Sequence, residues 1–226
     1  MSDAGGAAAF NVLLDLDGTL TDSEEGIIRC IRYALETMGR PVPAADTLRR
    51  AIGPPLRITF AEMFGSDDPA LVDEAIARYR ERFTTTGIYE NRVYDGVTEM
   101  LDGIRALGCR MLLATSKPQL HAERIVRHFK LDAWLSGVYG ASFDDTHADK
   151  TALLGNLLLQ EQLDPARCLM AGDRKHDVNG ARANRIPVCG VLWGYGGIDE
   201  LREAQADFLA ETPAALLDLV RQRVTR

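Results

Sequence analysis

The chain has 226 residues, of which 46% are hydrophobic and 26% charged, with a formal net charge of -7, enough apolar material for one large core and a smaller satellite domain. A negative surface does not neutralise a phosphate backbone, so no nucleic-acid polymer is expected as a partner. No apolar run approaches the ~18 residues that cross a bilayer, and Met1 to Ala9 carry no basic stretch, so a soluble cytoplasmic protein with no membrane partner is expected.

Phe10 to Leu14 is a short apolar run and predicts a buried strand. It leads into Asp15-Leu16-Asp17-Gly18-Thr19-Leu20-Thr21, where alternation along an extended backbone sends Asp15 and Asp17 to the same side. Two close anions need a cation or a shared proton, and a bound Mg2+ next to a phosphate meets that need. Residues 22–91 then show helical patterns and no convincing strand, far too long for an ordinary crossover. Glu24 to Met38, Thr47 to Ile52, Leu56 to Met63 and Pro69 to Phe83 read as amphipathic helices, punctuated by Gly39-Arg40-Pro41, Gly53-Pro54-Pro55 and Gly65-Ser66. The expected organisation is an α-helical cap domain at 22–91 inserted into a core made of 1–21 and 92–226. Phe60, Met63, Phe64 and Phe83 fall at helical spacing as the apolar core of that cap. The stiff turn from Gly53 to Leu56 offers Arg57 as a cap contact to substrate, with a solvated Arg as the plain alternative.

Helical periodicity resumes from Met100 to Leu107, followed by a strand from Arg110 to Ala114. Thr115-Ser116-Lys117-Pro118 then reads as the N-terminus of the helix Leu120 to Phe129, so Thr115 and Ser116 are candidates for cradling phosphate. A strand from Gly137 to Ala141 precedes Lys150, which opens the helix Thr151 to Leu163 and places a cation on the same anion. The strand Cys168 to Ala171 leads into Gly172-Asp173-Arg174-Lys175-His176-Asp177, a charged loop whose Asp173 and Asp177 are further candidate metal ligands. Strands at Val188 to Leu192 and Asp207 to Ala210 and a helix at Pro213 to Val220 complete the pattern. Alternation of short apolar strands with helices predicts an α/β fold, a Rossmann-like parallel sheet, with all of these candidates at its C-terminal edge. Cys30, Cys109, Cys168 and Cys189 form no CxxC pair and read as buried free thiols. His121, His128, His147 and His176 have no partner at metal-ligand spacing, so surface or capping roles are expected of them.

The Asp15–Ser23 stretch, the strand end at Thr115, Lys150 and the Gly-Asp-x-x-x-Asp stretch from Gly172 resemble, in order and rough spacing, the haloacid dehalogenase-like hydrolase superfamily. Within it the chain is similar to phosphoglycolate phosphatases and 5′-nucleotidase-like members with a helical cap. That resemblance implies hydrolysis of a small phosphorylated metabolite, a phosphate monoester, through an aspartyl phosphate. It implies that Asp15 attacks phosphorus, that Asp17 is general acid and then base, and that Thr115 and Lys150 hold phosphate. It further implies Mg2+ on the carboxylates of Asp15 and Asp173 and the backbone carbonyl of Asp17, with Asp177 in support. Lys150-Thr151-Ala152 stands where phosphoglycolate phosphatases carry Lys-Pro-x-Pro, which leans toward the 5′-nucleotidase-like group. Asp17 argues against haloacid dehalogenation, and the absence of lysine from 22–91 argues against a phosphonatase Schiff base. A sugar phosphomutase of the same superfamily, or a receiver-like or non-catalytic phosphate-binding protein, are the alternatives. No heptad pattern marks a subunit interface.

Overall fold

The structure is a computed structural model that describes residues 9–141 and 149–225, so His147 lies outside the described residues. In chain order the elements are β1 (Asn11–Leu14), β2 (Thr21–Asp22), α1 (Glu24–Thr37), α2 (Ala45–Arg50), α3 (Leu56–Phe64), α4 (Pro69–Phe83), β3 (Arg92–Val93), α5 (Val97–Ala106), β4 (Arg110–Pro118), α6 (Gln119–His128), β5 (Gly137–Ala141), α7 (Lys150–Glu161), β6 (Cys168–Gly172), α8 (Lys175–Ala183), β7 (Val188–Val191), α9 (Ile198–Glu203), β8 (Phe208–Ala210) and α10 (Pro213–Val224).

Six strands form a parallel sheet in the order β5-β4-β1-β6-β7-β8. The chain starts in the middle, runs outward through β4 and β5, then returns to the other side of β1 at β6. The strand order therefore reverses at β1, and the crevice beyond its C-terminal end is where such sheets bind ligands. Both faces are covered, so every residue of β1 is buried. Val12 and Leu14 enter one apolar layer with Met100 and Ile104 of α5, Ile125 of α6 and Leu216 of α10. Leu13 enters the opposite layer with Leu153 and Leu157 of α7 and Val178 of α8. This is the period-two alternation of a strand with helices on both sides.

The four helices between β2 and β3 form because their apolar residues recur at helical spacing. Ile27, Cys30, Ile31, Ala34 and Leu35 make the buried face of α1, and Val72, Ala75, Ile76, Tyr79 and Phe83 that of α4, which packs on it. Asp68 caps α4 by accepting the Ala70 N–H, and Pro69 sits where no helical N–H is needed. Phe60 of α3 is fully buried, whereas Met63 and Phe64 are only partly so.

Four expectations need correction. The antiparallel pair β2–β3, two residues per strand, closes the base of the helical segment and is too short to leave a periodic signal. Strand β4 continues through Thr115, Ser116 and Lys117, so these residues extend the sheet and α6 begins only at Gln119. The charged run after Gly172 is not all loop, because α8 starts at Lys175, and α9 was likewise unforeseen. The interior Gly180 of α8 masks its pattern, and that glycine has a reason: a Cβ there would lie 2.8 Å from Lys150 Cγ. All four cysteines are buried free thiols. Among the described residues no helix is long and apolar enough to cross a membrane.

Candidate active site

Asp15 follows β1 directly, and its N–H donates to Ala171 O at 3.0 Å, which extends the β1–β6 pairing and fixes Asp15 beside the end of β6. Lys150 is the first residue of α7, whose N-cap Asp149 accepts the Thr151 N–H at 3.1 Å. Its buried ammonium donates to Asp15 Oδ1 at 2.9 Å and to Ala114 O at 2.8 Å, and forms an ion pair with Asp177 Oδ1 at 2.7 Å. Asp177 sits in the first turn of α8, where its Oδ2 accepts the Arg174 N–H at 3.2 Å. Asp173 follows β6; its Oδ2 accepts the Tyr195 N–H at 2.8 Å, and its Oδ1 is buried with no hydrogen-bond partner among the described residues. Gly18, with φ +82, permits this packing, because a Cβ there would lie 2.2 Å from Asp173 Oδ2.

Three buried acids share one buried cation. Burial, and then the Asp177 charge, outweigh Lys150 and push the Asp15 carboxyl up to about 6. Burial pushes Asp173 well above the usual carboxylate range, and the Asp177 and Asp15 charges add to it. Burial opposes the charge on Lys150, yet the Asp15 and Asp177 carboxylates overcome it and hold that ammonium's pKa above its ordinary value. The cluster is thus short of positive charge. Carboxylate oxygens of Asp15, Asp173 and Asp177 all lie within 4.8 Å of one another, an all-oxygen set of the kind that hard divalent cations take. Together with the orphaned Asp173 Oδ1, this donor set fits Mg2+. The Asp17 side chain stands apart from that cluster, with Oδ2 3.0 Å from Lys117 Nζ.

Thr115 is buried and its Oγ1 accepts the Lys117 N–H at 3.2 Å, which leaves the hydroxyl its own proton to donate. Half-buried Ser116 joins Lys150, His176, Pro55 and Arg57 around a cavity of about 330 Å3. A tighter cavity of about 90 Å3 lies between Asp17, Ser116, Lys117 and His121 on one side and Tyr79 and Phe83 of α4 on the other. Arg57 is thus brought to the mouth of the site, where it is about half exposed and ion-paired with Asp73 of α4. A larger groove, about 670 Å3, contains none of the candidate groups and is lined in part by charges already paired with each other, such as Arg29 with Glu25 and Arg92 with Asp22.

Several contacts escaped sequence reasoning. Lys117 rests on Asp17, its Nζ 3.0 Å from Oδ2. Arg174 donates from Nε to Glu200 at 2.9 Å and from Nη1 to Ile52 O, so it joins the core to the end of α2. The Tyr195 hydroxyl accepts the Ser23 N–H at 2.7 Å and donates to Asp22 Oδ1 at 3.0 Å. His121 is no surface residue: it is buried, edge-on to Phe83 at 5.2 Å. Burial first, and then the nearby cations Lys117, Arg124 and Arg80, hold its pKa down at about 4. Phe83, expected as cap core alone, also forms a wall of the tight cavity.

The profile of the haloacid dehalogenase-like hydrolase family matches residues 12–191. The chain is 44% identical over 206 residues to the 5′-nucleotidase of Pseudomonas aeruginosa, spanning 91% of this chain and 93% of that protein. It is 39% identical over 211 residues to the tyrosine-protein kinase PtkA of Mycobacterium tuberculosis, spanning 93% of this chain and 71% of that protein. The crystal structure of a predicted phosphatase from Clostridium acetobutylicum has the same fold, with a TM-score of 0.91 and 33% identity over 95% of this chain and 100% of that one. The chain belongs to the haloacid dehalogenase-like hydrolase family, as a phosphoric monoester hydrolase.

Proposed function

We propose that the protein hydrolyses small phosphate monoesters through a phosphate carried on Asp15, with Mg2+ as cofactor and nucleoside 5′-monophosphates ahead of phosphoglycolate as substrates. The observation that carries this reading is the meeting of Asp15, Lys150, Asp173 and Asp177 at one end of the sheet, with Asp17 held to the side on Lys117. The preference for nucleotides is supported by similarity to the P. aeruginosa 5′-nucleotidase and by Lys150-Thr151-Ala152 in place of Lys-Pro-x-Pro.

In this reading Thr115, Ser116 and Lys150 hold the phosphate oxygens while a carboxylate oxygen of Asp15 attacks phosphorus and the bond to the alcohol oxygen breaks. Asp17 acts through Oδ1, the oxygen that Lys117 does not take, and delivers a proton to the departing alkoxide. Water then attacks the same phosphorus, Asp17 takes its proton, inorganic phosphate leaves and the Asp15 carboxylate is restored. The Lys150 charge offsets the repulsion between carboxylate and phosphate throughout. Held by the carboxylates of Asp15 and Asp173 and the carbonyl of Asp17, with Asp177 in support, Mg2+ supplies neutralisation of the phosphate oxygens. Residues 22–91 act as the cap that covers the substrate, and Arg57 meets the leaving group at its edge.

Phosphate release from a nucleoside 5′-monophosphate, phosphoglycolate and p-nitrophenyl phosphate, each with Mg2+ and with EDTA, tests this. Release should require Mg2+ and be fastest for the nucleotide. No metal-dependent release would leave a binding role, and return of phosphate to a sugar hydroxyl would favour a phosphomutase.

A further inference from the structure

Lys117 has no task in the hydrolysis described above, yet it is buried beside the reacting groups, its side chain only 6% exposed. Its ammonium has neighbours from two distant parts of the chain. One is Asp17 Oδ2 at 3.0 Å. The other is the ring of Phe83 in α4, whose centroid is 4.7 Å away. Phe83 is itself held, stacked on Tyr79 at 5.3 Å and met by the His121 ring at 5.2 Å. Asp17 Oδ1, in contrast, is buried with no hydrogen-bond partner among the described residues. One oxygen of Asp17 is pinned and the other bare, in the wall of the tight cavity between α4 and the core. A phosphate-binding cation belongs beside Asp15, and Lys150 occupies that place.

We infer that Lys117 is a positioning residue: it holds Asp17 Oδ2 so that Oδ1 faces the leaving oxygen, and Phe83 keeps it there when α4 is docked on the core. The physical reason is the freedom of a lysine stem. An ammonium on four rotatable carbons fixes a carboxylate only if something fixes the ammonium, and an aromatic face attracts the cation while excluding water from it. Seating of the helical segment therefore aims the acid, which ties proton delivery to closure over a substrate. The inference rests on the phosphatase reading.

The test is kcat/KM, which reports the step that phosphorylates Asp15, for Lys117→Met, Phe83→Leu, the double variant and Lys117→Arg. The substrates are an alkyl phosphate with a carboxylate, an alkyl phosphate without one, and p-nitrophenyl phosphate, whose leaving group departs without a proton. Lys117→Met should slow both alkyl esters by about tenfold or more, part of the ~10²–10⁴ that a general acid supplies. It should slow p-nitrophenyl phosphate by a clearly smaller factor. Phe83→Leu should show the same selectivity more weakly, the double variant should be no worse than Lys117→Met, and Lys117→Arg should recover most of the alkyl rate. If thermal melting shows that Lys117→Met does not fold, Phe83→Leu and Lys117→Arg carry the same comparison. Equal losses on alkyl and aryl esters, a loss confined to the ester with the carboxylate, or no loss would each overturn the inference. A wild type that releases phosphate from no ester would overturn the phosphatase reading itself, and the inference with it.

Discussion

Asp173 Oδ1 has neither a hydrogen bond nor an ion pair among the described residues, whereas Asp177 has Oδ1 ion-paired with Lys150 at 2.7 Å and Oδ2 accepting the Arg174 N–H at 3.2 Å. Removing Asp173 should therefore cost more metal affinity than removing Asp177. In a Mg2+ titration of activity, Asp173→Ala should raise the half-saturating concentration about 100-fold, and Asp177→Ala only about tenfold, as expected for a group that orients rather than binds. Equal shifts would mean that both carboxylates hold the metal alike. Asp15 and Asp173 could be picked out because each stands at the end of a short apolar run, and Asp17 and Asp177 because they lie two and four residues further on. Their partners could not. Lys117 lies within β4 and Lys150 opens α7, and only that placement shows that one meets Asp17 and the other Asp15. Arg174 meets Ile52 across 122 positions, and Tyr195 meets Ser23 across 172, distances over which local pattern carries no information.

Helices α1 and α4 matched expectation to within a residue because each has a full apolar face and a clear start; Asp68-Pro69 marks the N-terminus of α4. Helix α8 has neither, and the two-residue strands β2 and β3 lie below the length at which alternation is visible. Glu90 helps to fasten α1 and α4 together beyond their apolar seam, accepting from Arg82 at 2.6 and 2.9 Å and from Arg29 at 2.7 Å. The hydrogen bonds from Arg82, helped by those from Arg29, overcome the effect of burial and hold the Glu90 carboxyl at about 2. Because this pKa is depressed in the folded state, its contribution to stability is present above the unfolded value of 4.5 and is lost as pH falls through about 2. Glu90→Gln should thus lower Tm at pH 7 by about 2–4 °C, and the gap from wild type should narrow as the pH is taken from 5 toward 2. A gap that stays constant across that range in thermal melts would show that the carboxylate charge contributes nothing.

At the scale of the whole molecule, the order in which strands and helices alternate was enough to predict a parallel α/β sheet, since only right-handed crossovers of about this length cover both of its faces. It was not enough to place β1 between β4 and β6, which is the feature that puts Asp15 and Asp173 at one crevice. Nor does it show which surface α1 to α4 lie on; that rests on Arg174 reaching Ile52 and Lys117 reaching Phe83. The claim on which the whole account turns is that Asp15 takes the phosphate. Acid quenching during turnover, followed by digestion and mass spectrometry, tests it most directly. Phosphate should appear on the peptide containing Asp15 and be absent from Asp15→Asn, whose turnover should fall by about 10³-fold or more. Phosphate on any other residue, or an Asp15→Asn enzyme that keeps working near the wild-type rate, would contradict it.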